Sequence, residues 1–317
     1  MTSPSATPSA SVVVPVYRNR ATLAELVERI DAALADEDHE TVLVVDGCPD
    51  GSLALCRELA AERSHLLVVE LARNFGQHAA LCAGFEAARG PVVLLLDADL
   101  QQDPEDLPAF LAAWRGGAEF VSGFRTGRED AARRRLGSWG MNKLVRVVTD
   151  VPLKDWGCPM AAIDRRILDA VPHCGEQRRF LKPLVARLAR SWEEVPIVGR
   201  GRDGESSYST LDLIGLALDF VVSFTRRPFQ RLTGAGLALF ALAVVAGVIY
   251  LTLRAVGVVD SAPPVQALVL LAALAGMQAV ILGILGEYTH RVYRMVQGQP
   301  FFEVRAMHGG ADAGPPA

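Results

Sequence analysis

Four short apolar runs, residues 11–16, 41–45, 66–71 and 92–96, alternate with segments whose apolar residues fall at helical spacing. A strand buried on both faces shows as an unbroken apolar run, and an amphipathic helix as apolar residues three and four apart. Between the first two runs, Leu23, Leu26, Val27, Ile30 and Leu34 keep the helical spacing, and Thr22 with Glu25 reads as a capping box. Further helices are predicted over 53–63 and 79–88. Strand, helix, strand, helix in this rhythm predicts parallel βαβ units in a doubly wound α/β sheet. No G-x-G-x-x-G follows the first run, which disfavours a dinucleotide-binding oxidoreductase.

The fourth run carries the chemistry. Val92 to Leu96 leads straight into Asp97 and Asp99. A strand buried on both faces has no use for charge at its end, and ligands of open α/β sheets sit at the carboxyl ends of strands. Asp97, Asp99 and the Gln101 amide offer hard oxygen donors, which suit Mg²⁺ or Mn²⁺ holding a diphosphate. The plain alternative is an acidic turn that caps the next helix. Asp103 as N-cap with Pro104 at the first helical position fits that alternative, but Asp97 does not.

Beyond residue 110 the pattern is less regular. A strand is predicted over 120–124, followed by Arg125. Arg128, Arg133, Arg134 and Arg135 crowd one segment, either as a solvated helix face or as an anion site. Residues 155–160 (Asp-Trp-Gly-Cys-Pro-Met) read as a tight turn. A helix begins at Asp164, an amphipathic helix spans 180–189, and 192–198 reads as an edge strand. His78 is expected to be a structural or loop hydrogen-bonding residue, and Cys158 a packing residue.

After Tyr208 the composition changes. An amphipathic juxtamembrane helix is predicted within 210–230. Residues 232–253 and 265–285 are free of charge, each close to the ~20 residues that cross a bilayer. They predict a transmembrane hairpin over 231–287. Arg226, Arg227 and Arg231 before it and Arg291 and Arg294 after it place both termini in the cytoplasm. The organisation is therefore a disordered lead-in (1–10), a cytosolic domain (11–209), the juxtamembrane helix, the hairpin and a cytoplasmic tail (288–317). A net charge of -4 over 317 residues excludes a domain-wide basic surface for nucleic acid. Five cysteines without a CxxC pair fit reduced thiols in a cytosolic domain.

Taken in order, several motifs resemble the family 2 glycosyltransferases of the GT-A fold. They are Val13-Val14-Pro15-Val16-Tyr17, Val45-Asp46-Gly47-Cys48-Pro49-Asp50-Gly51-Ser52, Arg73-Asn74-Phe75-Gly76-Gln77-His78-Ala79-Ala80, Leu96-Asp97-Ala98-Asp99-Leu100-Gln101, Gly204-Glu205-Ser206-Ser207-Tyr208-Ser209 and Leu285-Gly286-Glu287-Tyr288. With the hairpin, they resemble the polyprenyl-phosphate branch of dolichol-phosphate mannose synthases, bactoprenol glucosyltransferases and undecaprenyl-phosphate aminoarabinose transferases.

The resemblance implies a mainly parallel Rossmann-like sheet and an inverting, metal-dependent enzyme of the inner membrane. It would move a sugar from a UDP- or GDP-linked donor to a polyprenyl phosphate on the cytoplasmic leaflet, for a cell-envelope glycolipid, and as a homo-oligomer. It also implies roles. Asp97, Asp99 and Gln101 would hold the metal and diphosphate. Pro15, Tyr17 and Asp46 would form the nucleoside pocket, with Gln77 also on the donor. Arg125 would face the phosphates, Arg135 (or Arg134) the acceptor phosphate, and Asp155 would be a base or sugar-contacting acid. Arg202, or Arg200 on the other side of Gly201, would close on the donor. Three places depart from the pattern: Val45 stands where the family has a first aspartate, Gly201 where it has an arginine, and Ser207 where it has a lysine. Val45 and Ser207 motivate a second reading, a catalytically impaired nucleotide-binding membrane scaffold; a third, a processive polysaccharide synthase, is disfavoured because two spans form a poor export channel and no Gln-x-x-Arg-Trp segment occurs.

Overall fold

The computed structural model describes residues 7–126, 145, 146, 149, 151–171, 180–198 and 301–310, together with scattered positions between 252 and 292. The chain divides into two compact units, Met1–Phe224 with Pro300–Ala317, and Thr225–Gln299.

In the first unit the described residues form one eight-stranded sheet. Its strands are β1 (Ala10–Val16), β2 (His39–Val45), β3 (Leu66–Leu71), β4 (Val92–Leu95), β5 (Phe120–Thr126), β6 (Ala161–Asp164), β7 (Trp192–Val198) and β8 (Val304–Gly309), in the order β7-β5-β6-β4-β1-β2-β3-β8. Strands β4, β1, β2 and β3 run parallel, as the βαβ rhythm predicts. The rest of the sheet is more mixed than a mainly parallel expectation. β6 runs antiparallel between β4 and β5, β8 runs antiparallel on β3, and β7 pairs parallel with β5 at the edge.

Helices α1 (Leu23–Ala33), α2 (Ser52–Glu62), α3 (Gln77–Ala87) and α4 (Leu107–Arg115) connect and cover the strands. Two hydrophobic cores lie on opposite faces. Val12, Val14 and Val16 of β1 pack in one core with Leu23, Leu26 and Ile30 of α1 and with Phe110 of α4. Val13 faces the other core, with Ala80 and Phe85 of α3 and with Leu184 of the helix Leu181–Leu188. Strand alternation thus supplies both layers, and each buried Val or Leu contributes roughly 1.5–3 kcal/mol.

The expected capping box does not form. Thr22 sits at the N-cap of α1 without a side-chain cap bond; its hydroxyl lies 2.5 Å from the Ala98 carbonyl and 3.0 Å from the Asn19 carbonyl, and its one proton goes to the nearer, Ala98. Thr22 therefore ties the start of α1 to the turn after β4. Asp103 likewise makes no cap bond to the one-turn helix Pro104–Asp106; it accepts from Arg29 of α1 at 2.7 Å.

The chain runs β1, β2, β3 in one direction and then returns to place β4 on the other side of β1. That reversal is the topological switch point, where α/β sheets open a ligand crevice. Pro15, which has no N–H to donate, lies beyond the last β1–β4 pair, Val13 with Leu95. β1 and β4 separate there.

The hairpin prediction falls on residues that are mostly outside those described. Among the described residues no helix is long and apolar enough to cross a membrane.

Candidate active site

A cleft of about 660 Å³ opens at the switch point, over the carboxyl ends of the central strands. Pro15, Tyr17, Asp46, Gln77, Asp97, Asp99, Gln101 and Arg125 all line it. Eight residues spread over 110 positions of sequence thus meet in one place. Arg135 and Arg202, the remaining cationic candidates, lie outside the described residues.

Each wall has a local cause. The register pairs Val16 with Val45, so Tyr17 and Asp46 leave adjacent strands side by side. Val45 is buried in the core, and strand alternation sends Asp46 away from it. The departure at position 45 is thus an apolar core side chain. Asp46 is itself nearly inaccessible, and its oxygens accept from the N–H groups of Phe75 at 2.7 Å and Gly76 at 2.9 Å. The carboxylate fastens the loop before α3 to the end of β2. Gly47 makes that approach possible: its φ is +60°, and a Cβ there would meet Asn74 N at 2.5 Å.

The turn after β4 is held under constraint. Leu100 has φ +55°, and Arg18, beside Tyr17, has φ +59°. These are the two non-glycine residues in the left-handed region among those described, and both sit in turns at the cleft. Such conformations cost about 1–3 kcal/mol and persist where the surroundings fix them. Asp99 Oδ1 accepts from the Gln101 N–H at 3.1 Å, and Asp97 Oδ1 accepts from Gln77 Nε2 at 2.9 Å. Gln102, which the sequence did not single out, also lines the cleft, and its Oε1 is buried without a hydrogen-bond partner. Two half-buried carboxylates, glutamine amides and an orphaned amide oxygen make an all-oxygen donor set, which fits Mg²⁺ or Mn²⁺.

On the opposite wall Arg125 and Asp155 form a two-pronged ion pair, Nε to Oδ2 at 2.7 Å and a terminal nitrogen to Oδ1 at 3.0 Å. Arg125 lines the cleft, whereas Asp155 is not among its lining residues. Burial pushes the Asp155 carboxyl up, but the Arg125 hydrogen bonds and charge, with Lys182, outweigh it and hold the group below its ordinary value. A carboxylate so engaged is a poor proton acceptor and a good clamp for a guanidinium. Gly157 belongs to the same clamp, since a Cβ there would come within 2.9 Å of Arg125.

Lys182 was not anticipated. It is half-buried, and its ammonium donates to the carbonyls of Asp155 and Cys158, both at 2.9 Å. Burial brings its pKa down to about 8. It pins the 155–160 turn from beneath. In sequence it is one lysine on an amphipathic helix, and only the distant turn it supports reveals its role. Cys158 is buried, as a packing residue should be, and burial raises its thiol pKa.

Comparison with known proteins gives consistent matches. Residues 11–172 match the profile described as Glycosyl transferase family 2. The chain is 37% identical to the undecaprenyl-phosphate 4-deoxy-4-formamido-L-arabinose transferase of Enterobacter sp. (strain 638), covering 98% of this chain and 97% of that protein. It is 38% identical to the protein of the same name from Pseudomonas fluorescens (strain Pf0-1), over 96% and 92% of the two chains. Among solved structures, mannosyl-3-phosphoglycerate synthase from Rubrobacter xylanophilus superposes with a TM-score of 0.49 at 16% identity, covering 71% of this chain and 75% of that one. That likeness is too loose to carry any residue across.

Proposed function

The chain belongs to glycosyl transferase family 2, and on that premise we propose that it moves a sugar from a nucleoside-diphosphate donor to an undecaprenyl-type polyprenyl phosphate, with inversion, at the cytoplasmic face of a membrane. The observation that carries this reading is the convergence, in one cleft at the switch point, of Asp97, Asp99 and Gln101 with Arg125.

The acceptor is a phosphate that is already ionised at neutral pH. One of its oxygens attacks the anomeric carbon as the bond from that carbon to the donor diphosphate breaks. A single displacement inverts the carbon, and no proton has to be removed. The reaction therefore needs alignment and charge stabilisation more than a base. This agrees with an Asp155 committed to Arg125. Arg125, held by Asp155, sets a fixed positive charge against the departing diphosphate. Tyr17 and Pro15 flank the nucleoside, and Asp46 acts by holding the 73–76 loop. Asp97, Asp99 and Gln101 would hold Mg²⁺ or Mn²⁺, which supplies Lewis-acid stabilisation of the leaving group when bound. Arg135 meets the acceptor phosphate and Arg202 closes on the donor, both by resemblance alone.

The uncharged stretches 232–253 and 265–285 supply the membrane attachment of this reading. Leu271 and Leu282, exposed at 64% and 60%, suit contact with lipid. The relatives' names make a 4-formamido-arabinose the first sugar to test.

The test is incubation of the full chain in membranes with undecaprenyl phosphate, a divalent cation and labelled UDP- and GDP-sugars, followed by lipid extraction. The expected product is a lipid carrying a single sugar. A polymer would favour the processive synthase, and the absence of a glycolipid from any donor would overturn the proposal.

A further inference from the structure

At the amino-terminal end of the same sheet, Asp31 of α1, His39 at the start of β2 and His65 just before β3 converge. One ligand atom from each lies within 4.8 Å of the others. We propose that these three side chains form a second metal site, for a borderline divalent cation of the Zn²⁺ class, separate from the cleft and independent of the activity proposed for it.

The geometry of His39 is the strongest reason. Its side chain is only 9% exposed, and its Nε2 is buried without a hydrogen-bond partner. Its Nδ1 lies 3.1 Å from the Glu37 carbonyl, an acceptor only, so Nδ1 carries the proton and Nε2 presents a lone pair. A backbone carbonyl on one imidazole nitrogen is the arrangement that fixes a histidine for ligation through the other. That nitrogen lies 3.5 Å from Asp31 Oδ1. His65 Nε2 lies 2.8 Å from the same oxygen. Ligands at about 2.0–2.1 Å in a tetrahedron are about 3.4 Å apart, so these two separations bracket what a Zn²⁺ ion requires. Asp31 would bind through Oδ1 alone, because Arg63 Nε holds Oδ2 at 3.2 Å. Without metal, His65 donates its Nε2–H to Asp31 Oδ1. Binding an ion through Nε2 takes the other neutral tautomer, with the proton on Nδ1, so that each histidine gives an Nε2 lone pair.

Two imidazoles and one carboxylate favour Zn²⁺ over the hard Mg²⁺ and Mn²⁺ that suit the all-oxygen cleft. Asp31 and His65 are about 30% exposed, which leaves room for water as a fourth ligand. The ion would join α1, β2 and β3 at the end of the sheet opposite the cleft.

The test uses the full chain in detergent, without a histidine tag, after removal of metal with a chelator. Zn²⁺ retained after gel filtration and the Zn²⁺-induced shift in thermal midpoint are measured for the wild type, D99N, H65Q and D31N. About one Zn²⁺ per chain and an upward shift are expected in the wild type and in D99N. Both H65Q and D31N, whose side chains are partly exposed, should keep a metal-free folded transition and lose the shift, with Zn²⁺ affinity at least tenfold weaker. Equal retention and shift in the wild type and H65Q would overturn the proposal. So would a shift lost in D99N but kept in H65Q, which would put the zinc in the cleft, or no retained zinc in the wild type.

Discussion

At the amino-terminal end of the sheet, Glu40 is buried, yet it accepts from Ser11 Oγ at 2.6 Å, Arg89 N at 2.5 Å and Arg89 Nε at 2.8 Å. At the carboxyl-terminal end, Asp97, Asp99 and Arg125 line an open cleft, and the turns beside them hold Arg18 and Leu100 in the left-handed region. The same strands connect the two ends. One end spends its charges on closing the ends of β1, β2 and β4 together, and the other aims them at a space. Even the buried acid at the second end, Asp46, serves that space by fixing the 73–76 loop. On the function proposed above, stability and catalysis occupy opposite ends of one sheet, and substitutions at the two ends should separate cleanly.

The largest effect should come from Asp99→Asn. It removes one anionic oxygen from the cleft without changing volume, so transferase activity should fall by about 10³ or more, with an unchanged thermal midpoint. A variant with near-normal turnover would erase the functional side of the contrast. Arg125→Lys should cost less, about 10²-fold in kcat, because an ammonium cannot form both prongs of the bond to Asp155 and so loses its aim. Steady-state rates that hold within a factor of two would show that the pair is only structural.

Glu40→Ala should behave in the opposite way. Removing the shared acceptor leaves Ser11 Oγ and the Arg89 N–H without their partner, and we expect a loss of about 3 kcal/mol in denaturant unfolding. The rate per folded molecule should be unchanged. A fall in kcat without loss of stability would mean that the two ends are coupled.

The smallest effect concerns Lys182. Its pKa falls from the ordinary 10.5 to about 8, so between those values the unfolded chain holds a proton that the folded chain has shed. Stability should rise with pH across that window, by at most about 3 kcal/mol, and the cost is complete below pH 8. K182M should lack this rise. Parallel stability curves for wild type and K182M between pH 8 and 10.5 would show that the ammonium is not desolvated as its burial implies.

The central strands were legible because Val- and Leu-rich runs buried on both faces leave little alternative, and β3 was placed to the residue. β6 was missed because its four residues, Ala161–Asp164, carry no pattern of their own and depend on β4 and β5. β8 was missed because Val304–Gly309 alternates weakly and pairs with a strand more than 200 residues away in sequence. Asp97 and Asp99 stood out in the sequence because charge at the end of a buried strand is costly without a purpose. The Arg125–Asp155 pairing did not, since only the fold brings residues 30 apart into contact. Gln102 was passed over for Gln101, and Thr22 for its helix rather than for the Ala98 carbonyl it binds. In each case the local signal was real, and a tertiary partner decided which group answered it.

Calorimetry reads whether the carboxyl-end cleft is the nucleotide and metal site. UDP and GDP are titrated, each with and without Mn²⁺, into the wild-type full chain, Asp99→Asn and Glu40→Ala. Mn²⁺-dependent binding of at least one nucleotide is expected, lost in Asp99→Asn and kept in Glu40→Ala. Undiminished Mn²⁺-dependent binding in Asp99→Asn would contradict it.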